Sequence, residues 1–288
     1  MAHEHHTGTR ALGLAFGLNL AFTVVEAIGG WWTNSAAVLS DSVHDLGDCL
    51  VLGAAWYLTR LAARGRDERY SYGYGRYRML GGWAAALVLI VGSVIMLVVG
   101  TYRLWHPEPV DATGMLWLAV FGVVMNGLAA GFLHRGHSLN ERGVYLHLLE
   151  DVLGWVAVLI GALVMRATGW VWVDPLLTIG ISLFIGWNAL RTLSQGTRIL
   201  MQAQPERYDE QAVRNALLAV PGVTGVHDQH AWTLDGRYLV LTVHLVVNAT
   251  DALRRAKDAA REQLNALGVD HATIEVELEG EECTLQHH

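Results

Sequence analysis

The sequence predicts an α-helical membrane protein: a bundle of six transmembrane helices followed by a C-terminal α+β domain. Three observations lead there. Of the 288 residues, 52% are hydrophobic and only 16% charged. Six apolar stretches are long enough to cross a hydrocarbon core of about 30 Å. Beyond Pro205 these stretches give way to short alternating segments and amphipathic runs, the pattern of a small sheet with helices.

Taken in order, the spans fall at Ala11–Trp32, Ala36–Tyr57, Met79–Tyr102, Gly114–Leu133, Val144–Met165 and Val171–Leu193. The second and fifth are the weakest by hydropathy, because each carries a cluster of ionisable residues. Residues 1–10 are polar and run straight into the first span, so no cleavable signal peptide is expected. They form a cytosolic tail holding His3, His5 and His6, matched by a C-terminal tail over 281–288 with His287 and His288. His134 and His137 lie in a short loop, where solvation is expected.

Arginine placement sets the orientation. With the N-terminus in the cytosol, that side holds eleven arginines near the spans, at 10, 60, 64, 66, 69, 76, 78, 135, 142, 191 and 198. The other side holds two, Arg103 and Arg166. Such a bias places both termini in the cytosol. Trp31, Trp32, Trp105, Trp170 and Trp172 then mark the outer interface, where aromatic belts form.

The bundle occupies 11–204 and the soluble domain 205–280, in the order αββαβ. Asp209–Val220 is an amphipathic helix stopped by Pro221-Gly222. Val223–Leu234 and Tyr238–Val247 are strands joined at Asp235-Gly236, a strong hairpin signal. Ala252–Leu267 is a helix ending at Gly268, and Ala272–Leu278 is the third strand. Up to Gln204 the chain carries 13 basic and 13 acidic residues. The remainder carries 7 and 14, so the net charge of −7 lies in the C-terminal domain. An acidic domain suits cations and excludes nucleic acid, whose phosphates require a basic face. Cys49 and Cys283 are too few for a disulfide framework or a CxxC metal motif.

Two helical turns carry the chemistry. His44-x-x-x-Asp48 and His147-x-x-x-Asp151 place an imidazole and a carboxylate one turn apart in the second and fifth spans. Side chains four apart share a helix face, and ionisable groups inside a bilayer face partners or water-filled paths. Together the two pairs supply two nitrogens and two oxygens, a set suited to Zn²⁺. Asp41 and Asp45 lie on the same stripe as His44 and Asp48, an i,i+3,i+4,i+7 series. Three carboxylates on one stripe repel unless a cation or protons neutralise them. Asp41/Asp45 is an alternative pair; correspondence with the fifth span favours His44/Asp48. Asp41, Asp45 and Glu150 are assigned to supporting or proton-relay roles. Asn19, Glu26 and Asn126 are expected to orient the ligand helices, with Glu26 a further relay candidate. In the soluble domain His227, His230, His244 and His271 fall near Glu275 and Glu277, a candidate cytosolic metal site. An HExxH motif is absent, and four ligands would close the zinc shell, so an intramembrane metalloprotease is disfavoured.

These segments resemble the cation diffusion facilitator family of divalent-metal exporters over nearly the whole chain. The resemblance rests on Leu39-Ser-Asp-Ser-Val-His-Asp-Leu-Gly-Asp48, His147-Leu-Leu-Glu-Asp151 and Tyr70-Ser-Tyr-Gly-Tyr-Gly-Arg76, with Asp174-Pro175 and His227-Asp-Gln-His-Ala-Trp232 in support. It implies a homodimer in the lipid bilayer, with metallochaperone-like C-terminal domains meeting in the cytosol. It also implies that a divalent ion crosses in exchange for protons. A His/Asp pair on each ligand helix resembles members selecting zinc and cadmium, so Zn²⁺ and Cd²⁺ are the expected cargo. Co²⁺, Ni²⁺ or Fe²⁺ are alternatives, and a membrane metal sensor without transport is the alternative of another class. Short loops favour a bacterial inner membrane. Two departures stand out. Tyr70 and Tyr74 occupy positions where some relatives place metal-binding histidines, and Glu275 and Glu277 stand near relatives' His and Asp.

Overall fold

The computed structural model describes the backbone of residues 2–62, 65–133, 139–250, 253–281 and 283. Side chains at 2–12, 14–15, 55–56, 59–60, 62, 78, 129, 132–133 and 139–148 lie outside the described set, as do the histidines of the C-terminal tail and of the 134–138 loop. Two compact units emerge: one from Met1–Ala63 with Leu80–Leu193, the other from Arg64–Met79 with Ser194–His288.

Six long helices make up the first unit and its continuations: α1 (Ala2–Thr33), α2 (Ala36–Ala62), α3 (Gly75–Trp105), α4 (Ala112–Leu133), α5 (Leu139–Thr168) and α6 (Val173–Leu200). They correspond one to one with the expected spans and run longer at most ends. α1 takes in residues 2–10, where a tail is expected; that stretch contains no proline to stop a helix. Among the described residues, stretches of α3, α5 and α6 are long and apolar enough to cross a membrane. α2 falls short because of its carboxylates, and the apolar part of α4 is shorter. Trp31, Trp32, Trp105, Trp170 and Trp172 are all exposed, as an interfacial belt requires.

The packing positions α2. Trp155 of α5 is buried in a cluster with Ala37 and Val38 of α2 and Met115 and Ala119 of α4. Gly122 of α4 leaves room for its ring; a Cβ there would run into the indole. The start of α2 is capped from another helix. The Asp174 carboxylate, at the start of α6 and fully buried, accepts from Ala36 N (2.9 Å), Ala37 N (3.3 Å) and Ser35 Oγ (2.5 Å). Arg103 of α3 approaches it at 3.8 Å and also donates to the Asn34 backbone and side-chain oxygens at 2.7 Å. First-turn N–H groups of α2 that no helix can satisfy internally are thereby met inside the protein. Asn34 forms the turn with φ 51°, a left-handed conformation asparagine tolerates.

The C-terminal unit has the expected αββαβ order: α7 (Glu210–Leu218), β1 (Val223–Thr233), β2 (Leu239–Val247), α8 (Leu253–Ala266) and β3 (His271–Leu278). Asp209 caps α7 through Ala212 N at 2.9 Å. β1 and β2 pair antiparallel, and β2 and β3 pair parallel, with α8 as the crossover that parallel strands need. Leu239, Leu241, Val243, Leu245 and Val247 face the helices and build the core with Leu217 and Leu264. Alternation along β2 therefore directs Thr242, His244 and Val246 to the opposite face of the sheet.

Candidate metal centres

On α2 and α5 the sequence pattern becomes a cluster. His44 Nε2 lies 3.6 Å from Asp151 Oδ1 and 4.0 Å from Asp48 Oδ2. One ligand atom from each of the three falls within 4.8 Å of the others. The His44 and Asp48 side chains are about one-fifth exposed or less, and that of Asp151 is 12% exposed. His147 belongs to α5 one turn before Asp151, but its side chain lies outside the described residues. Asp41, His44, Glu150 and Asp151 border a cavity of about 580 Å³ whose other walls are apolar residues of α5 and α6, among them Leu153, Leu177 and Phe184. A dehydrated dication would meet oxygens and one imidazole there against an apolar wall, where electrostatic attraction is little screened.

The supporting carboxylates separate into distinct roles. Asp41 and Asp45 are both buried at 7% exposure, yet only Asp41 borders the cavity. Asp45 is directed toward Glu26 of α1, itself 2% exposed. Glu150 accepts from Asn188 Nδ2 of α6 at 3.1 Å, a partner the sequence argument did not single out although an amide within an apolar span is a recognisable signal. Asn19 serves as expected: its amide reaches the Asp45 carbonyl and the Cys49 sulfur, each at 3.4 Å, tying α1 to α2. Asn126 does not. Its amide bonds back to the Gly122 carbonyl of its own helix at 3.2 Å, a local option open to asparagine that needs no neighbouring helix.

The second centre lies on the face of the sheet turned away from the helices. His227, His244 and Glu275 are register partners across the three strands, so their side chains project together. His244, 5% exposed, holds Glu277 Oε1 at 2.7 Å through Nδ1, and its Nε2 lies 3.4 Å from Glu275 and 3.5 Å from Asp228. His227 Nε2 is 3.3 Å from the other Glu277 oxygen. Cys283 closes the group, its sulfur 3.6 Å from His244 Nδ1. One ligand atom each from His227, His244, Glu277 and Cys283 falls within 4.8 Å of the others.

Of the residues expected for this domain, His230 and His271 stand apart from the cluster, and Cys283 joins it. His230 is drawn off by Asp228, which its Nε2 meets at 2.9 Å, and its side chain is 63% exposed. A bulge between His227 and His230, with Asp228 at φ 48°, sets His230 opposite Thr242, on the face that carries His244 but one same-face position along from it. This hydrogen bond to His230 is also the main reason the Asp228 carboxyl is held below the usual carboxylate range. His271 sits four residues, about 13 Å, along β3 from Glu275 and packs edge-on against Tyr72. Cys283 joins the cluster although nothing in the strand pattern pointed to it; only its position just beyond β3 was a hint.

The loop before α3 holds a tyrosine cluster. Tyr70 and Tyr77 hydroxyls meet at 2.6 Å, and Tyr74 donates to Asp67 at 2.6 Å. The sequence therefore closes this loop with phenols and one carboxylate.

Residues 12–201 match the cation efflux transmembrane domain, and residues 205–279 match the cation efflux protein cytoplasmic domain. The chain belongs to the cation diffusion facilitator family. As a family member it is a multi-pass membrane transporter of the cation efflux class, with a helical transmembrane domain and a small C-terminal sheet domain. It is 34% identical to the metal cation efflux system protein CzcD of Cupriavidus metallidurans over 96% of this chain and 89% of that protein. Identity to the cadmium, cobalt and zinc/H(+)-K(+) antiporter of Bacillus subtilis is 30% over 97% of this chain and 93% of that protein. For the zinc transporter ZitB of Yersinia pseudotuberculosis it is 33% over 94% and 88%. Among the described residues of this cation diffusion facilitator, these two clusters could hold a metal ion.

Proposed function

We propose that this protein exports Zn²⁺, and Cd²⁺ with it, from the cytosol in exchange for protons. The ion passes through a site formed by His44, Asp48, His147 and Asp151. The convergence of His44, Asp48 and Asp151 beside the α2–α5–α6 cavity carries this reading. The zinc, cadmium and antiport named for the relatives support it. Two neutral imidazoles and two carboxylates carry a net charge of −2, so a dication makes the site neutral, and burying uncompensated charge is costly. Metal binds only to deprotonated ligands, so protons and metal compete for the same lone pairs. Protons arriving from the outer side displace the ion and reset the carrier, with Asp41, Asp45, Glu150 and Glu26 providing further proton-accepting groups near the path.

Both termini lie in the cytosol by the arginine bias, in a bacterial inner membrane like that of the bacterial relatives. Two copies associate through the C-terminal domains, since the family matched over 205–279 is named for dimerisation. That domain holds a second zinc ion between His227, His244, Glu277 and Cys283. Ligand atoms around a tetrahedral zinc stand roughly 3.3–3.8 Å apart; one ligand atom from each of the four residues lies within 4.8 Å of the others, so the group needs to draw together by about an ångström at its widest.

Zinc flux into proteoliposomes, followed with an enclosed zinc-sensitive dye, tests the proposal with and without a pH gradient and with competing Cd²⁺, Co²⁺, Ni²⁺ and Fe²⁺. Flux that accelerates with an opposing proton gradient is expected. Metal binding without flux under any gradient would instead establish a sensor.

A further inference from the structure

The loop preceding α3 offers a site of different chemistry. Arg69 and Arg76, with Tyr72, Gln202, Trp232 and Leu234, border a pocket of about 270 Å³ within the C-terminal unit. That volume is near the lower end of ordinary ligand pockets, about 300–1,000 Å³. Among the described residues, neither guanidinium has a carboxylate within ion-pair distance. The nearby Asp67 is already engaged: its Oδ1 accepts from the Arg69 and Tyr70 N–H groups, and its Oδ2 accepts from Tyr74. The tyrosine–aspartate clasp fixes the loop while leaving both arginines directed to other partners.

A second feature converges on this pocket. Gln202 follows α6 in the left-handed conformation, φ 55°, closing the helix through Gln202 N to Ile199 O and Ala203 N to Arg198 O. Glycine usually fills such a position. Here the strained backbone holds an amide side chain at the pocket wall. Arg76 is the second residue of α3 and Gln202 the second beyond α6. Both helices contain stretches long and apolar enough to cross a membrane.

We infer that this pocket binds the phosphate of an anionic membrane lipid. Two guanidiniums form the forked donor pair that phosphate oxygens accept, and Tyr72 and Trp232 are side chains suited to the headgroup level. Clustered basic side chains bind anionic lipid headgroups for these reasons. A metal ion is a poor occupant, because two adjacent positive charges repel it. The inference stands apart from both metal centres.

The test titrates the full-length protein in neutral detergent with dihexanoyl phosphatidylglycerol, using calorimetry. Parallel titrations use dihexanoyl phosphatidylcholine and inorganic phosphate. Saturable binding of the glycerol lipid is expected, weakened about tenfold or more in Arg69→Gln and in Arg76→Gln, as loss of a hydrogen bond to a charged group predicts. Arg76→Lys keeps the charge but not the fork and falls between. The unfolding midpoint of Arg69→Gln, on the exposed loop, stays at the wild-type value, so that variant carries the test if Arg76→Gln folds poorly. Equal lipid binding by wild type and both Gln variants would overturn the site. Saturation by inorganic phosphate with none by the lipid would overturn the lipid as occupant.

Discussion

The two candidate metal centres are built on opposite principles. In the helical bundle, His44 and Asp48 stand one turn apart on α2 and meet Asp151 of α5 because the two helices face each other. On the cytosolic sheet, single residues from three strands and one beyond the last strand converge through register. The first centre offers oxygen and nitrogen beside an apolar cavity. The second adds sulfur and presses its central histidine against two glutamates. A cargo site must release its ion, and hard carboxylates that protons can reclaim suit release. A site containing thiolate holds soft or borderline ions more firmly. On the function proposed above, the contrast separates passage from retention by ligand type as well as by location.

The sharpest way to break this comparison is to remove one carboxylate from the membrane centre. Asp48→Ala or Asp151→Ala is expected to abolish zinc flux in proteoliposomes while helical content by circular dichroism is unchanged. Flux at the wild-type rate would remove these residues from the path. Next in size, Trp155→Ala leaves a cavity behind α2 and costs about 3–5 kcal/mol, as other buried aromatic truncations do. Chemical denaturation of the detergent-solubilised protein reads this out. Cys283→Ser, made in the Asp48→Ala background, is expected to weaken the remaining zinc site by more than the roughly 10–100-fold that loss of an outer-sphere partner costs. Competition with a chromogenic chelator measures it. A subtler change is His44→Asp, which replaces nitrogen by oxygen and broadens flux toward Mn²⁺, seen as increased Mn²⁺ competition against zinc. At the small end, His230→Ala shifts cytosolic zinc affinity by no more than about twofold, the scale of an exposed substitution. A loss comparable to that of Cys283→Ser would restore His230 to the ligand set.

Helix-based features were the more legible from sequence. His44 and Asp48 announce a common face by spacing alone, because helix geometry is local and nearly invariant. The αββαβ order also followed from local signals: Asp209 as a cap, Asp235-Gly236 as a turn, Gly268 as a stop. The sheet centre was only half legible. Alternation put His227, His244, Glu275 and Glu277 on strands, but which of them meet depends on register across non-adjacent segments. A single bulged residue, Asp228, sets His230 opposite Thr242 and takes up its imidazole, and a left-handed φ at an aspartate leaves little trace in composition. Cys283 was invisible for a different reason: it lies outside any periodic element, so its approach to His244 is set by the path of the chain after β3. Asn126 was misjudged because an asparagine inside a helix can satisfy itself on its own backbone.

The cap that Asp174 places on α2 has a mechanical consequence. Freeing that end would leave two amides and a hydroxyl without acceptors amid buried side chains, so this corner of the bundle behaves as a fulcrum. At 1.5 Å of rise per residue, His44 lies about 12 Å and Asp48 about 18 Å from Ala36. A tilt pivoting there would displace Asp48 half as far again as His44 while the anchored corner stays still.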